Sequence, residues 1–196
     1  ASATRAPLGP GVVGARTLPL VYLYAFGVLP EIPLSERCFS GGASTSRAVS
    51  ENQAGPRDLL TGLPIGGSAL FFHSTELRFP LIGDNVGGVL FHDMGNVYSG
   101  VTAVSLRFHQ KNLQDFDYMV HSIGFGIRIR TLAGPIRADF SFSPNAPRFF
   151  GFNGTRDDLL AIPPSQPLCS PQTPSPTCSN QRINWFQFHV SLGQTF

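Results

Sequence analysis

Apolar and polar residues alternate with a period of two through much of this chain. In the closing stretch NWFQFHVSLGQTF, Phe186, Phe188, Val190 and Leu192 share one parity and Phe196 continues it. Trp185, Gln187, His189, Ser191, Gly193 and Thr195 take the other. Alternation of this length marks a strand with one apolar and one mostly polar face. Two settings produce it: the last strand of a soluble sandwich, or a tilted membrane strand of about 9–11 residues with lipid outside and a wet interior. In YMVHSIGFGIRIRT, Ile123, Phe125, Ile127 and Ile129 oppose Ser122, Gly124, Gly126, Arg128 and Arg130. In PIRADFSFS, Ile136, Ala138, Phe140 and Phe142 oppose Arg137, Asp139, Ser141 and Ser143. LAGP (Leu132 to Pro135) between them carries the Gly and Pro of a tight turn, which predicts a hairpin. SALFFHSTELRFP and GGVLFHDMGNVY add two strands around LIGDNVG, and TLPLVYLYAFGVL (Thr17 to Leu29) reads as the first strand. The prediction is antiparallel strands over 17–29, 67–80, 87–98, 117–131, 135–144 and 184–196, with almost no helix outside the long loops. Residues 1–16 show no readable pattern and stand as an unassigned segment.

The connections then sort by length. Short turns fall near 81–87 and 132–135, and long loops cover about 30–66, 99–116 and 144–183. Short turns on one side and long loops on the other describe an outer-membrane barrel; a sandwich has no reason to sort them so. The polar face points the same way. Arg128 and Arg130 beside Arg137 and Asp139 cannot fill a dry core, but they can line a wet lumen. The fold class read from the chain is therefore all-β, an antiparallel transmembrane β-barrel over 17–196. Its six readable strands would close a barrel narrower than the usual minimum of about eight. The chain is expected to be the C-terminal part of a longer protein.

Composition sharpens this. Charged residues are 13% of the 196, against a typical share of about 25%. No apolar run approaches the roughly 18 residues of a membrane helix, so insertion has to be by strands. The net charge of +2 gives no electrostatic case for nucleic acid. The chain opens at Ala1 without a charged-then-apolar leader, so a leader is expected to be absent or removed with more of the N-terminus. Cys169 and Cys178 bracket SPQTPSPT, and a close pair in an exposed loop reads as a local disulfide made in an oxidising compartment. His73, His92, His109, His121 and His189 are scattered, with neither a Gly-x-Ser-x-Gly elbow nor a paired-His metal motif. No catalytic set, metal or cofactor is expected.

The loop FSGGASTSRAVSENQAGP (Phe39 to Pro56) sets one arginine, Arg47, among glycines and small polar residues. With GGSALFFHSTELRFP, GGVLFHDMGNVY, IGFGIRIRTLAGPIRADF and FQFHVSLGQTF following in order, it resembles the BamA/TamA surface-antigen superfamily. The resemblance spans about residues 17–196, apart from the 144–183 loop. It implies the last six or so strands of a sixteen-stranded barrel that is preceded by periplasmic POTRA domains. It implies an inward-folded loop, about 30–66, whose signature is Arg-Gly-aromatic; Arg47 matches the arginine, while Ala48 and Val49 stand in for the other two. Glu76 and Asp93 match the acidic strand positions that this arginine reaches, and Phe91 to Gly95 matches Phe-x-Asp-x-Gly. The closing strand, with Phe186, Phe188, Val190, Leu192 and Phe196, resembles the signal by which assembly machinery recognises its clients; Gly193 sits where the family's last strand kinks. The implied function is insertion of nascent β-barrel proteins into the bacterial outer membrane through a lateral seam. The implied partners are those clients, outer-membrane lipid and accessory lipoproteins. A two-partner secretion pore, or the barrel anchor of a surface or lipid-hydrolysing enzyme, shares the same segments.

Overall fold

A computed structural model of the chain describes residues 2–25, 32–58, 61–83, 85–131, 134–160, 169 and 177–193. One antiparallel sheet dominates it. The strands are β1 (Ser2–Gly9), β2 (Val12–Leu18), β3 (Leu20–Tyr22), β4 (Ala69–Ile82), β5 (Val86–Tyr98), β6 (Val120–Ile129), β7 (Ile136–Phe142), β8 (Arg148–Phe152), β9 (Cys178–Arg182) and β10 (Phe186–Leu192). The sheet runs β1-β2-β4-β5-β6-β7-β10, with β3 continuing β2 along the edge of β4, and β8 pairs with β9 apart from it. The only α-helix among the described residues is the short α1 (Arg156–Leu160), in the last long loop.

Register turns the alternation into two surfaces. Leu77, Leu90, Phe125, Phe140 and Phe188 are cross-strand partners in one unbroken row. Each is at least 38% exposed, which suits lipid and would be a liability in water. The next row, on the opposite face, is Glu76, Phe91, Gly124, Ser141 and Gln187. That face also holds Ser74, Asp93, Ser122, Arg137 and Asp139, all buried. A sheet with its apolar side out and its charges in is the wall of a membrane barrel.

Two expectations need correction at the start of the chain. Within the segment left unassigned, 1–16, residues 2–16 hold β1 and most of β2, joined by a tight turn. The strand expected over 17–29 begins at Val12 and is broken at Pro19, whose missing N–H interrupts the ladder while its carbonyl accepts Phe72 N–H. Residues 26–29 of that expected strand lie outside the described residues. The main sheet accordingly holds eight strands where six were read. The remaining predicted strands appear with ends moved by a few residues.

The short connections, after β1, β4 and β6, gather on one edge of the sheet, and the long ones leave the other. Leu132 and Ala133 of the LAGP turn are outside the described residues. The last long loop contains the β8–β9 ribbon, and Cys169 is bridged to Cys178 with their Cα atoms 5.7 Å apart.

Candidate functional site

The loop between β3 and β4 does not lie over the sheet's rim. It drops against the inner face, where Ala48 and Val49 are 0% and 1% exposed. Both pack with Ala54, Leu70, Phe72, Val97, Tyr118 and Val120. No left-handed backbone occurs at Ala48, since Asn52 is the one positive-φ residue other than glycine among those described. The small pair thus replaces an aromatic tip by fitting into the wall, and its burial carries Arg47 to the centre of the polar face.

Arg47 is 2% exposed and fully engaged. Its Nε donates to Asp93 Oδ2 at 2.7 Å and its Nη2 to Asp93 Oδ1 at 2.7 Å, a bidentate fork that a lysine could not make. Nη1 donates to Glu76 Oε1 at 2.9 Å, and Nη2 also reaches Ser74 Oγ at 3.2 Å. Asp139 Oδ2 lies 3.7 Å from Nη1. The guanidinium lies 3.5 Å over the Phe91 ring. Burial alone would draw the Arg47 pKa down, but the hydrogen bonds and charge of Asp93, with Glu76 and Asp139 behind it, hold it above the ordinary value.

Glu76 and Asp139, though not Asp93, each have a further cation. Arg78 donates twice to Glu76 Oε2, and Arg128 forks onto Asp139 at 2.6 and 3.1 Å. The alternation places Arg128, Arg137 and Asp139 on the inner parity without giving them a place in this cluster. Glycine makes the room. A Cβ on Gly124 would lie 2.5 Å from Phe91 Cζ, so only a bare backbone lets that ring lie flat under the arginine. At Gly95, paired with Phe72, a Cβ would come 2.7 Å from Phe72 Cα.

The loop is also tied to the last strand, a link without a signature in the sequence. The Arg47 carbonyl accepts from Ser141 Oγ on β7 and from His189 Nε2 on β10, the latter at 3.2 Å. A carbonyl can only accept, so Nε2 carries the proton. Ser50 Oγ donates to Gln187 Oε1 at 3.0 Å. An open hollow of about 610 Å³ beside this contact is lined by Ser50, Glu51 and Gln53 of the loop and by Asn184, Phe186 and Gln187. On the outer side of β10, Phe186, Phe188, Val190 and Leu192 are all more than half exposed. Gly193 follows with φ +99°, and Phe196 lies outside the described residues.

Both Asp93 oxygens accept hydrogen bonds, and the cluster they anchor joins the loop to the wall. A strand wall with apolar outside, charged inside and a pinned internal loop defines a transmembrane β-barrel whose lumen is occupied by its own chain. A family profile described as the Omp85 superfamily domain matches residues 6–196. The chain belongs to the Omp85 superfamily. Its fold is similar to that of BamA from Haemophilus ducreyi, crystallised lacking POTRA domains 1–3, with a TM-score of 0.60 and 19% identity over 95% of this chain. The chain spans about a third of that structure's length, 32%. No curated protein matches it.

Proposed function

We propose that this chain is the C-terminal part of the barrel of a bacterial outer-membrane assembly factor, which folds and inserts β-barrel clients through a seam at β10. The observation that carries the reading is the double attachment of the inward loop. Arg47 holds it to β4 and β5, while the Arg47 carbonyl and Ser50 hold it to β10. A loop that touches the terminal strand can sense whether that strand is paired. β10 pairs with β7. An edge of β10 released from the barrel's first strand would be a template for another strand, normally a hazard, and client strands would add to it by β-augmentation. The work is non-catalytic: backbone hydrogen bonds are offered, and no covalent bond is broken. Nascent barrel proteins are the clients, outer-membrane lipid is the solvent, and accessory lipoproteins would assist the full-length protein.

The test is depletion of the full-length protein in its own cells. Folded outer-membrane barrels as a class should fall, and cysteine crosslinks locking β10 to the barrel's first strand should reproduce the defect. Loss of a single secreted soluble polypeptide, with barrel proteins unchanged, would mean a two-partner secretion pore instead.

A further inference from the structure

The lipid-facing surface has a polar stripe in its middle. Pairing of β2 and β3 with β4 sets Val12, Gly14, Arg16, Leu20 and Tyr22 on the outward face, because Val13, Ala15 and Thr17 oppose inward Arg78, Glu76 and Ser74. Arg16 is exposed, and among the described residues it has no hydrogen-bond or ion-pair partner. Its cross-strand neighbours are Thr4 on β1 and Thr75 on β4, and beyond Thr75 comes His92 on β5. One outward position higher, His73, Met94 and His121 form the next row. His92 Nε2 and His121 Nδ1 share a hydrogen bond of 3.2 Å, and His73 Nδ1 is buried without a partner among the described residues. Below lies an apolar row, Leu77, Leu90 and Phe125; above, Leu20 and Phe71 lead to Asn96, which is buried and donates to the Phe116 and Tyr118 carbonyls.

Depth decides what this stripe meets. Arg16 is six residues from Tyr22, roughly 20 Å along a strand and about 15 Å in depth at a tilt near 40°. Val12 lies about 10 Å below it by the same measure, so in an apolar band of roughly 25 Å the guanidinium is near the middle. A cation there is expensive, and such residues mark function. Headgroup phosphates are farther away than an arginine stem climbs, and an imidazole reaches less far still. A second copy meeting face to face would set Arg16 against Arg16. The outward strand positions among the described residues carry no Asp or Glu to relieve it. Charge complementarity therefore asks for an acid from another protein.

We propose that the outward face of β2, β4, β5 and β6 around Arg16 is a lateral docking surface for a second transmembrane protein, which presents a carboxylate at mid-membrane depth. The threonine hydroxyls and imidazoles beside Arg16 supply the surrounding hydrogen bonds. A photocrosslinking residue at Leu18, 43% exposed just above Arg16, tests this in the full-length protein in intact cells. The adduct should join a membrane-spanning protein through a segment containing Asp or Glu. Arg16→Leu should weaken it at least about tenfold and Arg16→Lys should keep part of it. A probe at Phe125, on the purely apolar wall, should give none. In phosphatidylcholine vesicles without partners, Arg16→Leu should raise the urea midpoint, because an unmatched cation is removed. Adducts only with lipid or with a second copy, an adduct indifferent to Arg16→Leu, or a lowered urea midpoint would each overturn the proposal.

Discussion

Arg47→Ala is the sharpest perturbation, because it removes one side chain from a cluster whose other members stay. The substitution deletes the fork on Asp93, the bond to Glu76 and the stack on Phe91, leaving Asp93 with the Ser74 hydroxyl as a donor. Removing one partner of a buried ion pair costs about 3–5 kcal/mol, because the remaining charge stays desolvated. Arg78 still neutralises Glu76 and Arg128 still neutralises Asp139, so the lower end of that range applies, about 3 kcal/mol. Arg47→Lys keeps the charge and loses the fork, and at about 1.5–3 kcal/mol for a bond between charged groups it should cost about 2 kcal/mol. These energies bear on loop undocking rather than on barrel unfolding, since the strand ladders are untouched. Hydrogen exchange of the full-length protein in a bilayer reads it directly at the loop amides of Gly42, Thr45 and Ala54, which bond to Val49, Gly42 and Ser40 carbonyls. A loss of 3 kcal/mol should speed their exchange roughly a hundredfold, and β5 amides should be unchanged. Loop exchange unaltered in Arg47→Ala, or a rise shared equally by β5, would refute the local lock.

Other expectations are smaller. His189→Ala removes one bond to the Arg47 carbonyl and should speed loop exchange several-fold, about 1 kcal/mol, with Arg47–Asp93 intact in spectra of the cluster. Protein kept unreduced should be lighter by the mass of two hydrogens, from the Cys169–Cys178 bridge, and reduction should loosen only the last long loop. The Arg107 side-chain bonds hold the Asp115 carboxyl below its ordinary range. Its contribution is thus present above about pH 3.9, the unfolded value, and is lost as pH falls through the lower folded one. Exchange at Lys111 and Asp117, whose N–H groups bond to Asp115, should rise only in that acid window.

How much the sequence reveals depends on which solvent each face meets. Lipid demands apolar residues at every second position, so the outer faces of β6, β7 and β10 are legible from alternation alone. β2 is not, because its inward set is small (Val13, Ala15, Thr17) and its outward set includes Gly14 and Arg16. Neither parity is clearly apolar, and the period disappears. β1 is hidden in the same way by Thr4, Arg5 and Pro7. Within the site, Arg47, Glu76 and Asp93 were marked out by resemblance to a family, whereas alternation alone says only that an acid faces inward. His189 was invisible because its partner is a backbone carbonyl, and carbonyls have no signature in a sequence.

The two attachments of the loop differ in strength, and that difference has a direction. Toward β4 and β5 the loop is held by charge-assisted bonds to buried carboxylates, worth several kcal/mol. Toward β10 it is held by an imidazole–carbonyl bond and a hydroxyl–amide bond, each about 1 kcal/mol net. Strain applied at β10 would therefore break the His189 and Ser50 contacts first, while Arg47 keeps the loop on the wall. Ser141 of β7, also bonded to the Arg47 carbonyl, would mark where the movement stops. The terminal strand can thus leave its place without unseating the loop, and return to a partner that has not moved. Strengthening the weak link should slow the exchange of β10 more than that of the loop, and Gln187→Glu together with Ser50→Lys, an ion pair in the place of an amide contact, would measure it.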